Sequence, residues 1–301
     1  MRFVTFKKDS ETRAGVLIGD GSRATDVVID LAHRAMRAAL HGVAPQMQAL
    51  LDVGLSKIVG AIAAHGLANT AKLPLASVRL LAPLPEPKRI FGIAHNYRDA
   101  LAERGMPPPD KPVLFVKLPR TIVATDQPIV LPAGIGGVTY EAELAAVIGS
   151  RAENVSKDHA LDHVAAYGCF NDISASEIIK ADGHFDRGKN FVTFGPFGPF
   201  LASADEVPDP QALQVSLNVD NHSLQSGSTQ TMLFGVAEVV SYLSRQTVLE
   251  PGDIIATGTP AGVAALHKPP AWLKPGSTVT MQVQGLGRLV NPIIGGPANA
   301  A

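Results

Sequence analysis

Two glutamates in an apolar segment constrain this chain more than any other feature. Glu141 and Glu143 lie two residues apart in the run from Val138 to Gly149, so in a β-strand both carboxylates point to one face of the sheet. Asp172 ends a second apolar run, residues 165–172, and supplies a third carboxylate if the two segments are neighbouring strands. Three convergent carboxylates predict a site for a hard cation, Mg²⁺ or Mn²⁺, that leaves coordination positions open for water and substrate.

The same spacing has a simpler interpretation. A Glu-x-Glu pair is typical of the solvated face of an antiparallel sheet, and the spacing alone favours that interpretation. However, the residues around the two glutamates are Ala, Leu, Val and Ile. A charge inside an apolar strand is costly unless it is paired or bound to a metal ion, so the surroundings favour the metal site.

The composition is that of an ordinary globular protein. Of the 301 residues, 46% are hydrophobic and 18% are charged, and the formal net charge is −1. This charge balance does not indicate nucleic-acid binding. The chain has no run of about 18 apolar residues, so we expect no membrane span. The charged residue close to the N-terminus argues against a signal peptide. The single cysteine, Cys169, lies in an apolar run; we expect a core residue, and a reducing cytoplasm suits a chain without an internal disulfide.

Turn residues and prolines divide the chain into two parts. Residues 1–32 predict a small β meander, and helical spacing of apolar residues follows at residues 31–39 and 47–65. Three prolines at positions 83, 85 and 87 exclude a helix or a central strand there. We therefore expect a small N-terminal α+β domain at residues 1–80 and a catalytic domain at residues 81–301.

Several motifs, read together, resemble the fumarylacetoacetate hydrolase family over about residues 85–293. The motifs are GIAHNYRD (92–99), YEAEL (140–144), NDIS (171–174), GK (188–189) with FGPFGP (194–199), and PGDIIATGTPAG (251–262). Each motif is weak alone, but their joint occurrence in family order is specific. The resemblance implies a mixed, β-rich α+β fold: a rolled β-sandwich catalytic domain behind a small N-terminal domain, usually as a homodimer.

The resemblance also implies a chemistry and a set of roles. Glu141, Glu143 and Asp172 match the family's metal ligands, and the substrates would be 2-oxo acids with a second carbonyl, such as acylpyruvates. Lys189 would stabilise charge or donate a proton at the enolate, and Thr259 would bind the substrate carboxylate with its hydroxyl and its backbone amide.

Further substrate-binding candidates come from the same motifs. Gly258 accompanies Thr259 in its turn, Tyr97 belongs to the Asn-Tyr motif, and Arg187 precedes Gly188-Lys189.

The chain departs from the family at the group that activates water. In many members the Asn-Tyr motif continues to a His-Glu dyad; here the histidine position is Ala100, while Glu103 remains. Two further positions, where members often carry Arg and Gln, are Ser176 and Ile179. Arg187 or Lys180 could replace the cation that is lost at Ser176. General-base catalysis typically contributes about 10²–10⁴-fold, so the hydrolytic half-reaction needs a substitute for the dyad histidine.

Two histidines are candidates for that substitute. His184 lies on a polar loop close to Lys189, and we predict that it is the replacement base. His95 precedes Asn96, and adjacent residues on an extended segment point in opposite directions, so we expect His95 to be structural. The segments 96–109 and 177–190 are expected to act as a lid that orders when metal and ligand bind.

These observations lead to one hypothesis and two alternatives. The leading hypothesis is a cytoplasmic Mg²⁺- or Mn²⁺-dependent enzyme that hydrolyses a carbon–carbon bond of a 2,4-diketo acid, of acylpyruvate or fumarylacetoacetate type, in sugar-acid or aromatic breakdown. The first alternative, motivated by Ala100, is an isomerase, tautomerase or decarboxylase acting on a related 2-oxo or 2-hydroxydienoic acid. The second is a protein that binds a 2-oxo acid without turnover.

Overall fold

The computed structural model describes residues 1–22 and 24–297, and within them the chain forms a mixed, β-rich α+β fold with few helices. The helices are α1 (Met47–Val53), α2 (Leu55–His65), α3 (Arg98–Arg104), α4 (Ser176–Asp182) and α5 (Val236–Gln246). The strands are β1 (Arg2–Lys8), β2 (Glu11–Ile18), β3 (Val27–Asp30), β4 (Lys72–Pro74), β5 (Arg79–Leu81), β6 (Ile90–Ala94), β7 (Val113–Lys117), β8 (Ile122–Val123), β9 (Ile129–Leu131), β10 (Val138–Thr139), β11 (Ala142–Ile148), β12 (Val164–Asn171), β13 (Ser174–Ala175), β14 (Gly195–Ser203), β15 (Gln214–Val219), β16 (His222–Ser228), β17 (Ile254–Ala256), β18 (Thr278–Val283) and β19 (Arg288–Gly295).

The largest sheet runs through both predicted parts of the chain. Its strand order is β4-β3-β2-β1-β14-β12-β11-β17-β6-β7, with β5 beside β1 and β8 beside β14. A second sheet, in the order β16-β15-β18-β19-β9, packs against the central strands. Strands β11 and β14 are buried along their whole length, because each lies inside the large sheet with structure on both faces. This explains the continuous apolar runs around the acidic residues.

The predicted N-terminal meander is confirmed, because β1, β2 and β3 pair antiparallel in sequence order. The helix predicted at residues 31–39 is wrong. The chain there makes successive turns closed by bonds between residues three apart, such as Met36 to His33 and Ala39 to Met36. The apolar side chains of this stretch are still buried in a hydrophobic core. Their spacing therefore predicted burial correctly but not a helix.

The helical spacing at residues 47–65 corresponds to two helices, α1 and α2, rather than one. They meet at Gly54, whose φ of 103° interrupts the helix, and their axes bend by 100°. In the described part of the chain no single helix is long and apolar enough to cross a membrane. The bent pair α1 and α2 reaches the required length and composition only when the two helices are counted together.

Candidate active site

The three acidic residues meet where two central strands begin and end. Strands β11 and β12 pair antiparallel, with Ala142 opposite Asn171. Glu141 therefore lies just before β11 and Asp172 just after β12, and the Asp172 N–H donates to the Glu141 carbonyl at 2.9 Å. One carboxylate oxygen from each of Glu141, Glu143 and Asp172 lies within 4.8 Å of the others. The prediction that the two segments are neighbouring strands is confirmed.

Backbone groups hold this acidic cluster in place. Glu143 and Asp172 are only 1% and 0% exposed. The Gly258 N–H donates to Glu143 Oε2 at 2.9 Å, and the Glu141 N–H donates to the side-chain oxygen of Asn171 at 3.0 Å. The positions of the carboxylates are thus set by the sheet and by the turn at Gly258 rather than by flexible loops.

Two buried lysines accompany the carboxylates. Lys189 donates from Nζ to Glu141 Oε2 at 2.8 Å and also to Asp172 Oδ2. Lys117 lies 2.6 Å from Asp172 Oδ1 and donates to the carbonyls of Lys189 and Ile173. Sequence reasoning missed Lys117. The sequence does contain a signal for Lys117, because this lysine ends an apolar strand. A charged side chain inside an apolar strand needs a partner of opposite charge.

The electrostatics of the cluster follow from burial and from these pairs. Burial raises the pKa of Glu143, and the neighbouring carboxylates of Asp172 and Glu141 raise it further. Burial also disfavours the charge on Asp172, but Lys117 and Lys189 outweigh it and lower the pKa of Asp172. Burial opposes the charge on Lys189, yet Asp172 and Glu141 raise its pKa above the ordinary lysine value.

The donor set therefore fits a divalent cation. The cluster holds three carboxylates against two ammonium groups, and every candidate ligand atom is a hard oxygen of the kind that Mg²⁺ and Mn²⁺ prefer. A buried excess of negative charge is costly without such a partner.

A small cavity opens beside the acidic cluster. Its lining comes from β6 and the turn after it, from α3, from the acidic cluster, and from the segments around residues 185–189 and 258–259. The lining residues are Ile93, Ala94, His95, Ala100, Leu101, Arg104, Glu141, Glu143, Phe185, Lys189, Gly258 and Thr259. Both segments that we expect to form a lid, 96–109 and 177–190, thus contribute side chains to the cavity.

Comparison with known proteins identifies the family. Residues 89–294 match the family model described as fumarylacetoacetate (FAA) hydrolase C-terminal. The chain belongs to the fumarylacetoacetate hydrolase family. It is 41% identical over 264 residues to a protein of Burkholderia cenocepacia (strain HI2424) that is provisionally named a hydrolase, covering 86% of this chain and 91% of the relative.

Solved structures of the family share the fold. The fumarylacetoacetate hydrolase of psychrophilic Exiguobacterium antarcticum has a TM-score of 0.83 at 32% identity, covering 98% of this chain and 100% of that one. The 2-hydroxyhepta-2,4-diene-1,7-dioate isomerase of Mycobacterium marinum has a TM-score of 0.77 at 29% identity and covers 98% of both chains. The family fold thus carries both hydrolase and isomerase names.

In this member of the family, Thr259 is held by the sheet. Its hydroxyl donates to the Ala142 carbonyl at 2.9 Å and accepts from Gln225 Nε2 at 2.8 Å. Within residues 1–22 and 24–297 its backbone N–H has no hydrogen-bond partner, whereas the hydroxyl, which we expected to bind a ligand as well, is engaged by protein groups. Gln225 is 1% exposed and was missed from sequence, because nothing in its strand distinguishes it.

The structure places His184 and Arg187 outside the cavity. The His184 side chain is 59% exposed and lies 3.6 Å from Asp186. The Arg187 side chain is 63% exposed and forms an ion pair with Asp182 at 2.5 Å. Neither side chain faces the acidic cluster in this arrangement.

Glu103 and Tyr97 also lie apart from the cavity lining. Glu103 accepts the Gly262 N–H at 2.9 Å, so its carboxylate supports the turn after Thr259. Tyr97 is fully buried, and burial raises the pKa of its hydroxyl well above the usual range. Ala100, at the family's dyad position, does line the cavity.

His95 lies in the cavity lining, contrary to our expectation of a structural role. The expectation assumed an extended backbone, whereas His95 has a φ of 58°, in the left-handed region. The two side chains lie on different sides of the chain, but it is His95, not Asn96, that belongs to the cavity lining. His95 faces the cavity, while Asn96 is buried and bonds to the Thr257 and Phe234 carbonyls.

Proposed function

We propose that this chain is a divalent-metal-dependent hydrolase that cleaves the C3–C4 bond of a 2,4-diketo acid. The observation that supports the proposal is the convergence of three buried or partly buried carboxylates at a cavity that Lys189 also lines. A Mg²⁺ or Mn²⁺ ion held by Glu141, Glu143 and Asp172 would supply Lewis-acid stabilisation of the negative charge that develops on the substrate's 2-oxo oxygen.

Lys189 is suited to charge stabilisation rather than to proton abstraction. Its pKa is raised by Asp172 and Glu141 despite its burial, so the ammonium stays protonated at neutral pH. The Nζ atom also lies 4.7 Å from the centre of the Phe115 ring, which stabilises a cation further. A fixed positive charge beside the acidic cluster favours the enolate left when the C3–C4 bond breaks.

In this proposal the turn at residues 257–260 binds the carboxylate of the substrate. Thr259 lines the cavity and is fixed through its hydroxyl, and its backbone N–H has no partner among the described residues. A preorganised amide of this kind orients the 2-oxo acid end of a substrate without any rearrangement.

The experiment is an NMR time course with acetylpyruvate and fumarylpyruvate, with Mn²⁺, with Mg²⁺ and with chelator. We expect metal-dependent release of pyruvate and the second acid, which Glu143→Gln abolishes. Glu153→Gln is the matched control, because Glu153 is an exposed carboxylate paired only with Arg151. Hydrolysis that survives both the chelator and Glu143→Gln would refute the proposal.

A second candidate is isomerisation, tautomerisation or decarboxylation of a related 2-oxo or 2-hydroxydienoic acid. Ala100 favours it, together with the use of Glu103 as a partner for the Gly262 N–H, because enolate chemistry of this kind needs no activated water. The Mycobacterium marinum relative carries an isomerase name. Turnover in H₂¹⁸O discriminates between the two: hydrolysis places ¹⁸O in a product carboxylate, whereas turnover without incorporation favours the second candidate.

A further inference from the structure

We propose that His95 is the general base that accepts a proton from the attacking water, in place of the histidine that is absent at Ala100. The inference rests on the hydrolytic function proposed above. The sequence alone suggested the polar loop residue His184 for this role. The inference gives the role to a residue of the cavity wall instead.

The backbone at His95 is the first argument. Strand β6 ends at Ala94, and His95 follows it with a φ of 58°. Residues with a side chain rarely adopt this conformation, and such outliers persist where the surrounding structure enforces them, often at functional sites.

Asn96 enforces the unusual turn. Its side-chain amide donates to the carbonyls of Thr257 and Phe234 at 2.8 and 3.0 Å, and its oxygen accepts the Phe234 N–H at 3.0 Å. With Asn96 fixed on the inner side, the turn presents His95 to the cavity.

The surroundings of the imidazole are the second argument. Its ring centre lies 6.2 Å from that of Phe185, and the described residues offer it no hydrogen-bond partner. The charged groups that share its cavity are Arg104 from α3, Lys189, Glu141 and Glu143. Burial lowers the pKa of His95 from its usual 6.5, and the positive charges of Arg104 and Lys189 lower it further. A neutral, unpartnered imidazole at neutral pH is able to accept a proton.

The other ionisable groups in the lining have different roles. Arginine keeps its proton in proteins, and Lys189 holds its proton through its carboxylate neighbours. Glu141 and Glu143 are the proposed metal ligands. Among the described residues that line the cavity, His95 is therefore the one suited to act as the base.

The reaction balances with this assignment. His95 takes one proton from water as the oxygen bonds to C4 of the diketo acid. The C3–C4 bond then breaks, its electron pair goes to C3, and the products are a carboxylic acid and the pyruvate enolate. The imidazolium returns its proton to C3, which gives pyruvate. The new acid ionises, so one proton is released for each molecule of water consumed.

The test is the variant His95→Asn, because Asn tolerates a positive φ better than most residues that carry a side chain. We expect hydrolysis to fall by about 10²–10⁴-fold, with the affinities for Mn²⁺ and for oxalate, an analogue of the pyruvate enolate, unchanged by calorimetry. His159→Asn is the matched control and should keep full activity, since its side chain is exposed and lies outside the cavity. His95→Gly, a second variant, guards against a folding defect of the first, because glycine adopts a positive φ without steric cost.

A readout independent of turnover is the NMR titration of the metal-free protein. The imidazole signal that His95→Asn removes should titrate below 6.5, and the acid limb of the wild-type pH–rate profile should follow the same group. Hydrolysis by both His95 variants at the wild-type rate, or a His95 signal that titrates at or above its usual pKa, would overturn the assignment while leaving the hydrolase intact. A wild-type protein that hydrolyses no diketo acid would instead overturn the proposed function, and the role of His95 with it.

Discussion

Gly258 links the acidic cluster to the turn that carries His95. Its N–H donates to Glu143 Oε2, and its φ is +94°. A Cβ atom at this position would lie 2.9 Å from both the Asn96 Cβ and the Ile93 carbonyl oxygen. The replacement Gly258→Ala therefore strains the backbone and pushes against the 93–96 segment at once.

The chain offers a control that separates these two effects. Gly276 has the same φ of +94°, but a Cβ atom there would have no described neighbour within 4 Å. A left-handed conformation costs an L-residue about 1–2 kcal/mol, so Gly276→Ala should lower the free energy of unfolding by that amount. Gly258→Ala carries the same backbone penalty plus overpacking, which typically costs about 1–3 kcal/mol more.

The assay is equilibrium unfolding in urea of the metal-free protein, with Mn²⁺ affinity measured by calorimetry. We expect Gly258→Ala to be less stable than Gly276→Ala, and to bind Mn²⁺ about 10–100-fold more weakly because the partner of a ligand is displaced. Equal unfolding free energies for the two variants would refute the reasoning, because the tight contact at Gly258 would then carry no energy.

Three further outcomes test other parts of the structure. Glu143→Gln removes a buried ligand charge and should weaken Mn²⁺ binding by at least about 10-fold in calorimetry; an unchanged affinity would contradict the ligand assignment. Arg104→Gln at the cavity wall should lower kcat/KM by about 10-fold or more for diketo acids with a second, distal carboxylate but not for acylpyruvates with an uncharged acyl group, whereas Arg187→Gln should change neither. Asp253→Ala leaves Arg89 without its buried partner and should lower the free energy of unfolding in urea by about 2–3 kcal/mol.

The acidic cluster was predictable because its signal is local. Carboxylates two residues apart in an apolar strand share a face whatever the fold, and Asp172 needed only the pairing of two adjacent segments. The β meander was predictable for the same reason. The helix predicted at residues 31–39 is wrong because apolar spacing indicates burial rather than a particular backbone. Successive turns with hydrogen bonds between residues three apart bury the same side chains.

The groups around the cluster depend on contacts that no local pattern encodes. Lys117 reaches Asp172 from a strand 55 residues earlier in the chain, and Gln225 reaches Thr259 from a different sheet. Which of the two histidines would line the cavity was not encoded locally either: His95 follows β6 into the cavity lining, whereas the His184 side chain is exposed on its loop.

Ala100 and His95 belong to one short segment, and both positions face the same space. Ala100 and His95 line the same cavity, so a histidine at position 100 would extend a second imidazole toward the space that His95 faces. With alanine there, Glu103 has no dyad partner and instead accepts the Gly262 N–H, which supports the turn after Thr259. The three positions are thus consistent with the proposed roles: His95, in the turn before α3, would act as the base, and the Glu103 carboxylate stabilises the turn after Thr259.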